Sequence, residues 1–144
     1  MDHPLTGSES CHEDELLTLH QACLELVQTS DWDQLLLKIG SLAKQQVGAE
    51  FAVVILVSAT GEIQSFTPFG VAPEQAALIG TGPSGVGMVG AALQTMDSLR
   101  VANITDDPRS TGIPEHHPDL RSLLAVPMIH SRQRIGQIYL ANKL

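Results

Sequence analysis

The sequence predicts an α+β domain built on an antiparallel sheet. Three observations carry that expectation. Two segments with helical spacing of apolar residues open the chain, and a seven-residue apolar run rich in β-branched side chains, Phe51 to Val57, follows them. The last third then holds two apolar runs, Leu123 to Ile129 and Ile135 to Leu140, around a short polar link, Ser131-Arg132-Gln133-Arg134. That is the pattern of a hairpin with a longer loop. Two helices, two strands, two short helices and three strands, in that order, make an α+β domain.

Taken in order, residues 1–12 read as a loose polar N-terminus. Ser10-Cys11-His12-Glu13 has the S-x-x-E form of a capping box, which places a first helix over 13–28. Its apolar stripe is Leu16, Leu19, Cys23, Leu26 and Val27, so Cys23 reads as a small core residue. Ser30 or Asp31 caps a second helix over 31–47, carrying Trp32, Leu35, Leu36, Ile39, Leu42, Ala43 and Val47. Trp32 is expected to anchor one helix on the other. The run Phe51 to Val57 suits a strand buried on both faces. The mixed polarity of Ile63 to Phe69 suits a return strand nearer the sheet edge. Pro73 to Ile79 reads as a short helix with proline in its first turn. A further short helix, Met88 to Thr95, and a strand, Leu99 to Ile104, precede the hairpin.

Between the short helices lies Gly80-Thr-Gly82-Pro-Ser-Gly85-Val-Gly87, which matches G-x-G-x-x-G, with Asp106 about 20 residues on. We reject a dinucleotide site. The glycines follow a helical pattern rather than a strand, and the chain has no room for a second βαβ unit. Pro83 removes an N–H that a phosphate cradle would use. The glycines read instead as a structural turn that lets the next helix start close to the sheet.

Composition narrows the function classes. At 144 residues the chain is one domain with enough apolar content, 43%, for a real core. Its formal charge of −8 repels phosphate backbones and anionic lipid, so neither nucleic acid nor membrane is expected as a partner. No apolar run approaches the roughly 20 residues that span a bilayer. The N-terminus has no positively charged region followed by an apolar core, so it is not a secretory signal. The two cysteines, Cys11 and Cys23, stand outside any C-x-x-C pair and suit a reducing compartment. A cytoplasmic protein is expected. No G-x-S-x-G elbow, H-E-x-x-H or cysteine cluster points to an enzyme.

The glycine turn Gly82-Pro-Ser-Gly85-Val-Gly87, the segment Asp106-Asp107-Pro108-Arg109, the turn Ile113-Pro114, the run Leu124-Ala125-Val126-Pro127 and the strand Ile135-Gly136-Gln137-Ile138-Tyr139-Leu140 together resemble a GAF domain. The resemblance covers about residues 31–144, within a single domain over 13–144. It implies a PAS-like central antiparallel sheet of five to six strands, with helices packed on one face and a ligand pocket on the other. It also implies a bacterial signalling module attached to a histidine kinase or another output domain. The family's long C-terminal helix has no counterpart before Leu144, so either the chain is a piece of a larger sensor or the two N-terminal helices find cover in a partner, for which a homodimer is expected.

Within the family, the run Ser110 to Pro127 is similar to the first GAF domains of mycobacterial dormancy-survival sensor kinases, which bind heme. That resemblance puts the axial iron ligand at His117 and a distal tyrosine at Tyr139. It gives Ile55, Val57, Ile113, His117, Leu124 and Tyr139 as ligand-facing positions. Ile55 and Val57 replace polar residues that those sensors carry. Each residue also has a plainer reading. His117 can be a loop histidine stiffened by Pro118, with His116 facing solvent, and Tyr139 can cap the core with its hydroxyl at the pocket edge. Asp106 and Asp107 suit a turn before Pro108, while Arg109 and Arg121 suit either an anionic ligand or surface ion pairs. Three function classes follow: a small-ligand sensor of the two-component type, a sensor using heme b for gas or redox signals, and a structural dimerisation module.

Overall fold

The computed structural model describes residues 9–28, 30–74, 87–110 and 119–144. Its elements are α1 (Glu9–Val27), α2 (Trp32–Val47), β1 (Ala49–Val57), β2 (Ile63–Phe69), α3 (Gly87–Leu93), β3 (Leu99–Val101), a 3-10 turn (Ile104–Asp106), β4 (Leu123–His130) and β5 (Gln133–Lys143). The five strands form one antiparallel sheet in the order β2-β1-β5-β4-β3. The apolar run of β1 therefore has a partner on each side, and the more polar β2 lies at an edge.

α2 is closed at both ends by its own sequence. The Asp31 carboxylate accepts from the Gln34 N–H at 3.0 Å, which satisfies one of the free amides of the first turn. At the other end Gly48 takes a left-handed conformation (φ +69°) and donates to the Lys44 carbonyl at 3.0 Å. The Lys143 ammonium donates to the Val47 carbonyl, placing a cation at the negative end of the helix dipole.

Strand alternation sorts the core into two layers. Ala49, Ala52 and Leu140 form one cluster with Ala43 and Val47 of α2, Phe69, Leu124 and Ile138. The opposite face carries the larger cluster, with Ile55, Val57, Tyr139, Leu123, Ala125 and Ala92 of α3 among its members. Gly136 lies where β5 runs close to β1. A Cβ there would collide with the Ile55 carbonyl oxygen and with the Met128 methyl.

Several expectations need correction. The first helix is already under way at Glu9, so Ser10 lies within it and residues 9–12 are helical. The inward position on α1 belongs to Ala22; Cys23, one residue and about 100° further round, is exposed, as are Leu16 and Leu19. Trp32 is 56% exposed rather than an anchor between helices. It occupies the first helical position of α2. The strand expected over 99–104 stops at Val101, because Asn103 accepts from Thr105 N–H and starts a 3-10 turn. Of the helix expected over 73–79, Pro73 and Glu74 are helical, and the rest lies outside the described residues with the turn over 80–86. Among the described residues no helix is long and apolar enough to cross a membrane.

Candidate functional site

The face opposite α2 is defined by register. Tyr139 pairs with Val53 on β1 and Ala125 on β4, and Gln137 pairs with Ile55 and Pro127. Side chains alternate along a strand, so these residues, with Val57, Leu123 and Ala141, point to one side. Ala92 and Leu93 of α3 pack over them. Tyr139 is 5% exposed. Burial pushes its phenol well above the usual range, and the nearby Arg134 charge offsets part of that rise.

One irregularity gives this face a cation. The β4–β5 ladder slips between Met128 and Ile129, so that Gly136 opposes Met128 while Arg134 opposes Ile129. Ile135 is the extra residue of a β-bulge. A regular ladder would have put Ile135 on this face; the bulge brings Arg134 to it instead. Arg134 lies at the wall of a cleft of about 210 Å3, with Val57, Ser58, Leu93 and Gln133. One guanidinium nitrogen donates to the Leu93 carbonyl, while Nε and Nη2 are buried without a hydrogen-bond partner. Gln137, fully buried, has no partner for either amide atom. Buried polar groups are nearly always satisfied, so these four atoms on one face are an exception to the rule.

Of the ligand-facing positions expected from the sequence, Ile55, Val57 and Tyr139 stand together on this face. Leu124 does not. It pairs with Leu140 and joins the helix-side cluster, because alternation along β4 gives the other face to Leu123 and Ala125. Ile113 and His117, with Pro114, His116 and Pro118, lie outside the described residues. Asp107 forms a turn: its carboxylate accepts from the Arg109 backbone N–H, Nε and Nη2. Arg121 approaches Glu50 at 3.7 Å. Arg134 and Gln137 were not among the expected site residues. The usable signal was Gln137 at an inward-facing position of an otherwise apolar strand. The bulge that turns Arg134 inward has no mark in the sequence.

Fold and site thus define an α+β module with one sheet face closed by α2 and the other lined by apolar residues and a few buried polar groups. The family model for the GAF domain matches residues 29–144, and the chain belongs to that family. Among solved structures, the GAF domain of a phosphoenolpyruvate-protein phosphotransferase from Coxiella burnetii superimposes with a TM-score of 0.74 at 17% identity, over 90% of this chain and 77% of that one. Free methionine-R-sulfoxide reductase from Neisseria meningitidis, in complex with its substrate, gives 0.69 at 19% identity, over 90% and 73%. The NreA protein from Staphylococcus aureus, mutated in its nitrate binding site, gives 0.56 at 19%, over 78% and 86%. At such identities these likenesses carry the fold alone.

Proposed function

We propose that this GAF domain is a non-catalytic sensory module that binds a small molecule on the sheet face opposite α2. Occupancy then passes to an output partner, a sensor kinase of the two-component type or another cytoplasmic signalling domain. The observation that carries the reading is the set of unpartnered polar atoms of Arg134 and Gln137 on an otherwise apolar face. An apolar pocket with a few convergent polar groups is the usual form of a small-molecule site. Two relatives are named for small molecules, one for a nitrate binding site and one for a substrate complex, which favours the reading by analogy. Binding rather than turnover is the reading because the GAF family is generally a regulatory module. Denaturing the purified protein and analysing the released fraction by mass spectrometry should give one small molecule at near-stoichiometric yield. Protein that releases nothing, and that no metabolite stabilises in a thermal screen, points instead to a structural dimerisation module.

The described residues do not fit heme b. Tyr139 is packed among Ile55, Ala125 and Ala141 rather than standing back from an open pocket. The heme alternative therefore rests on the resemblance at His117. Added hemin should give no stoichiometric Soret band; a sharp band lost in His117→Ala but kept in His116→Ala reverses this assignment.

A second copy is the partner we propose for α1 and α2. Leu16 and Leu17 are each 66% exposed, and Leu19, Leu24 and Leu37 are also exposed. A groove of about 460 Å3 between the two helices, lined by Leu17, Ala22 and Leu42 among others, continues that surface. Large apolar side chains left exposed in number are what an interface would cover.

A further inference from the structure

The sensory reading leaves the ligand's chemistry open, and Arg134 narrows it. Its Nη1 is committed to the Leu93 carbonyl, which leaves Nε and Nη2, one edge of the planar guanidinium, buried and unpartnered. That edge presents two parallel N–H donors, spaced to meet the two oxygens of a carboxylate. The same molecule shows the match elsewhere. Arg109 Nε donates to Asp107 Oδ1 at 2.8 Å and Arg109 Nη2 to Oδ2 at 2.6 Å, with the same edge on a carboxylate. Among the described residues no carboxylate reaches the Arg134 edge. A buried guanidinium with one neutral partner is costly unless an anion joins it.

Gln137 defines the second half. The bulge makes Arg134 and Gln137 successive residues on this face, opposite Ile129 and Pro127. Same-face neighbours on a strand are about 7 Å apart at their Cα atoms. Gln137 is fully buried, with its amide N–H2 and carbonyl both unsatisfied. It can donate to one polar group of a ligand and accept from another.

We propose that the site takes a small organic carboxylate, gripped side-on by Arg134, with a hydroxyl, keto or amino group beside the carboxylate bonded to Gln137. This rests on the sensory reading and specifies its ligand class. Arg134 lines a cleft of about 210 Å3 with Val57, Ser58 and Leu93, and Gln137 lies buried outside that lining.

The test is calorimetry at fixed ionic strength and pH 7.5 with acetate, lactate, pyruvate, succinate and glutamate, each against its uncharged amide. At least one acid should bind at least tenfold more tightly than its amide. Arg134→Met should abolish that preference. Gln137→Leu should cut affinity for the substituted acids while leaving acetate nearly unchanged. If either variant fails to fold by circular dichroism, Gln137→Glu serves in its place. It keeps the side-chain shape and should weaken every acid more than its amide. Amides that bind as tightly as the acids, an acid preference that survives Arg134→Met, or no binding by any of the five acids overturns the proposal. Release of a neutral molecule from the purified protein overturns it too, but leaves the sensory reading standing. That reading fails only if no small molecule of any class binds.

Discussion

Asn142 shows how much one side chain near the end of β5 holds together. It is 2% exposed and has φ of +57°, a left-handed conformation that asparagine tolerates better than most residues. Its Nδ2 donates to Glu50 Oε2 at 2.9 Å and to the Asp119 carbonyl at 2.8 Å. Its Oδ1 accepts from the Arg121 N–H at 2.6 Å. One amide thus ties the segment entering β4 to β1 and β5. Asn142→Ala should cost about 2–4 kcal/mol, from three lost side-chain hydrogen bonds and a strained backbone. Asn142→Gly should cost less, since glycine keeps the backbone conformation. Denaturant unfolding of both variants checks this, and equal losses contradict it. Asp107 supplies a pH prediction. Its side-chain and backbone hydrogen bonds from Arg109 lower its carboxyl from 3.8 to about 2. The folded value lies below the unfolded one, so the turn's contribution is complete above about pH 4 and is lost as pH falls through 2. An NMR titration of the Asp107 carboxyl should give a midpoint near 2; one near 3.8 contradicts the pairing. At this scale the sequence was legible where a residue's type settles its role, as with Asp31 capping α2 or Asp107 making a turn. It was illegible for Leu124, whose face depends on a strand phase that neighbouring apolar residues leave ambiguous.

The hairpin of β4 and β5 is the element on which the site depends. The sequence suggested a four-residue link, Ser131 to Arg134, because the flanking apolar runs end at Ile129 and resume at Ile135. The strands instead pair up to His130 and Gln133, leaving Ser131 (φ +49°) and Arg132 (φ +66°) as a two-residue turn. Positive φ at both central positions is the type I′ geometry that matches strand twist, and here it is made without its favoured residues. Arg132→Gly should therefore stabilise the domain by about 1 kcal/mol, measured as a higher denaturant midpoint at unchanged slope. A loss of stability argues for a longer, looser loop. The tight turn and the bulge beyond it set the phase of the strand, which is why Arg134 faces the site. Gly136→Ala should disturb the same region, because the Ile55 carbonyl it would strike is backbone and cannot swing away. A loss of about 1–3 kcal/mol is expected, the usual effect of overpacking.

For the whole molecule, the order of elements and the central antiparallel sheet were readable because β1 and the hairpin strands have long apolar runs and α2 has clear caps. The packing of α1 was not. Its leucines have helical spacing, but spacing alone does not distinguish a face buried within the domain from one left to a partner. Ala22 is the inward residue and Leu16 and Leu17 remain exposed. Sedimentation should accordingly give a dimer at micromolar concentration. Leu16→Glu with Leu17→Glu should give a folded monomer, since neither side chain supports the core, and a wild-type monomer contradicts the proposed interface. Backbone amide chemical shifts decide whether the sheet face opposite α2 is the ligand face. They are recorded before and after adding a mixture of acetate, lactate, pyruvate, succinate and glutamate. Shifts should concentrate at Val57, Leu93, Arg134, Gln137 and Tyr139, with Ala43 and Val47 of α2 unmoved. Shifts centred on the α1–α2 groove would contradict it, whereas no shift with any of the five acids would overturn the carboxylate ligand class alone.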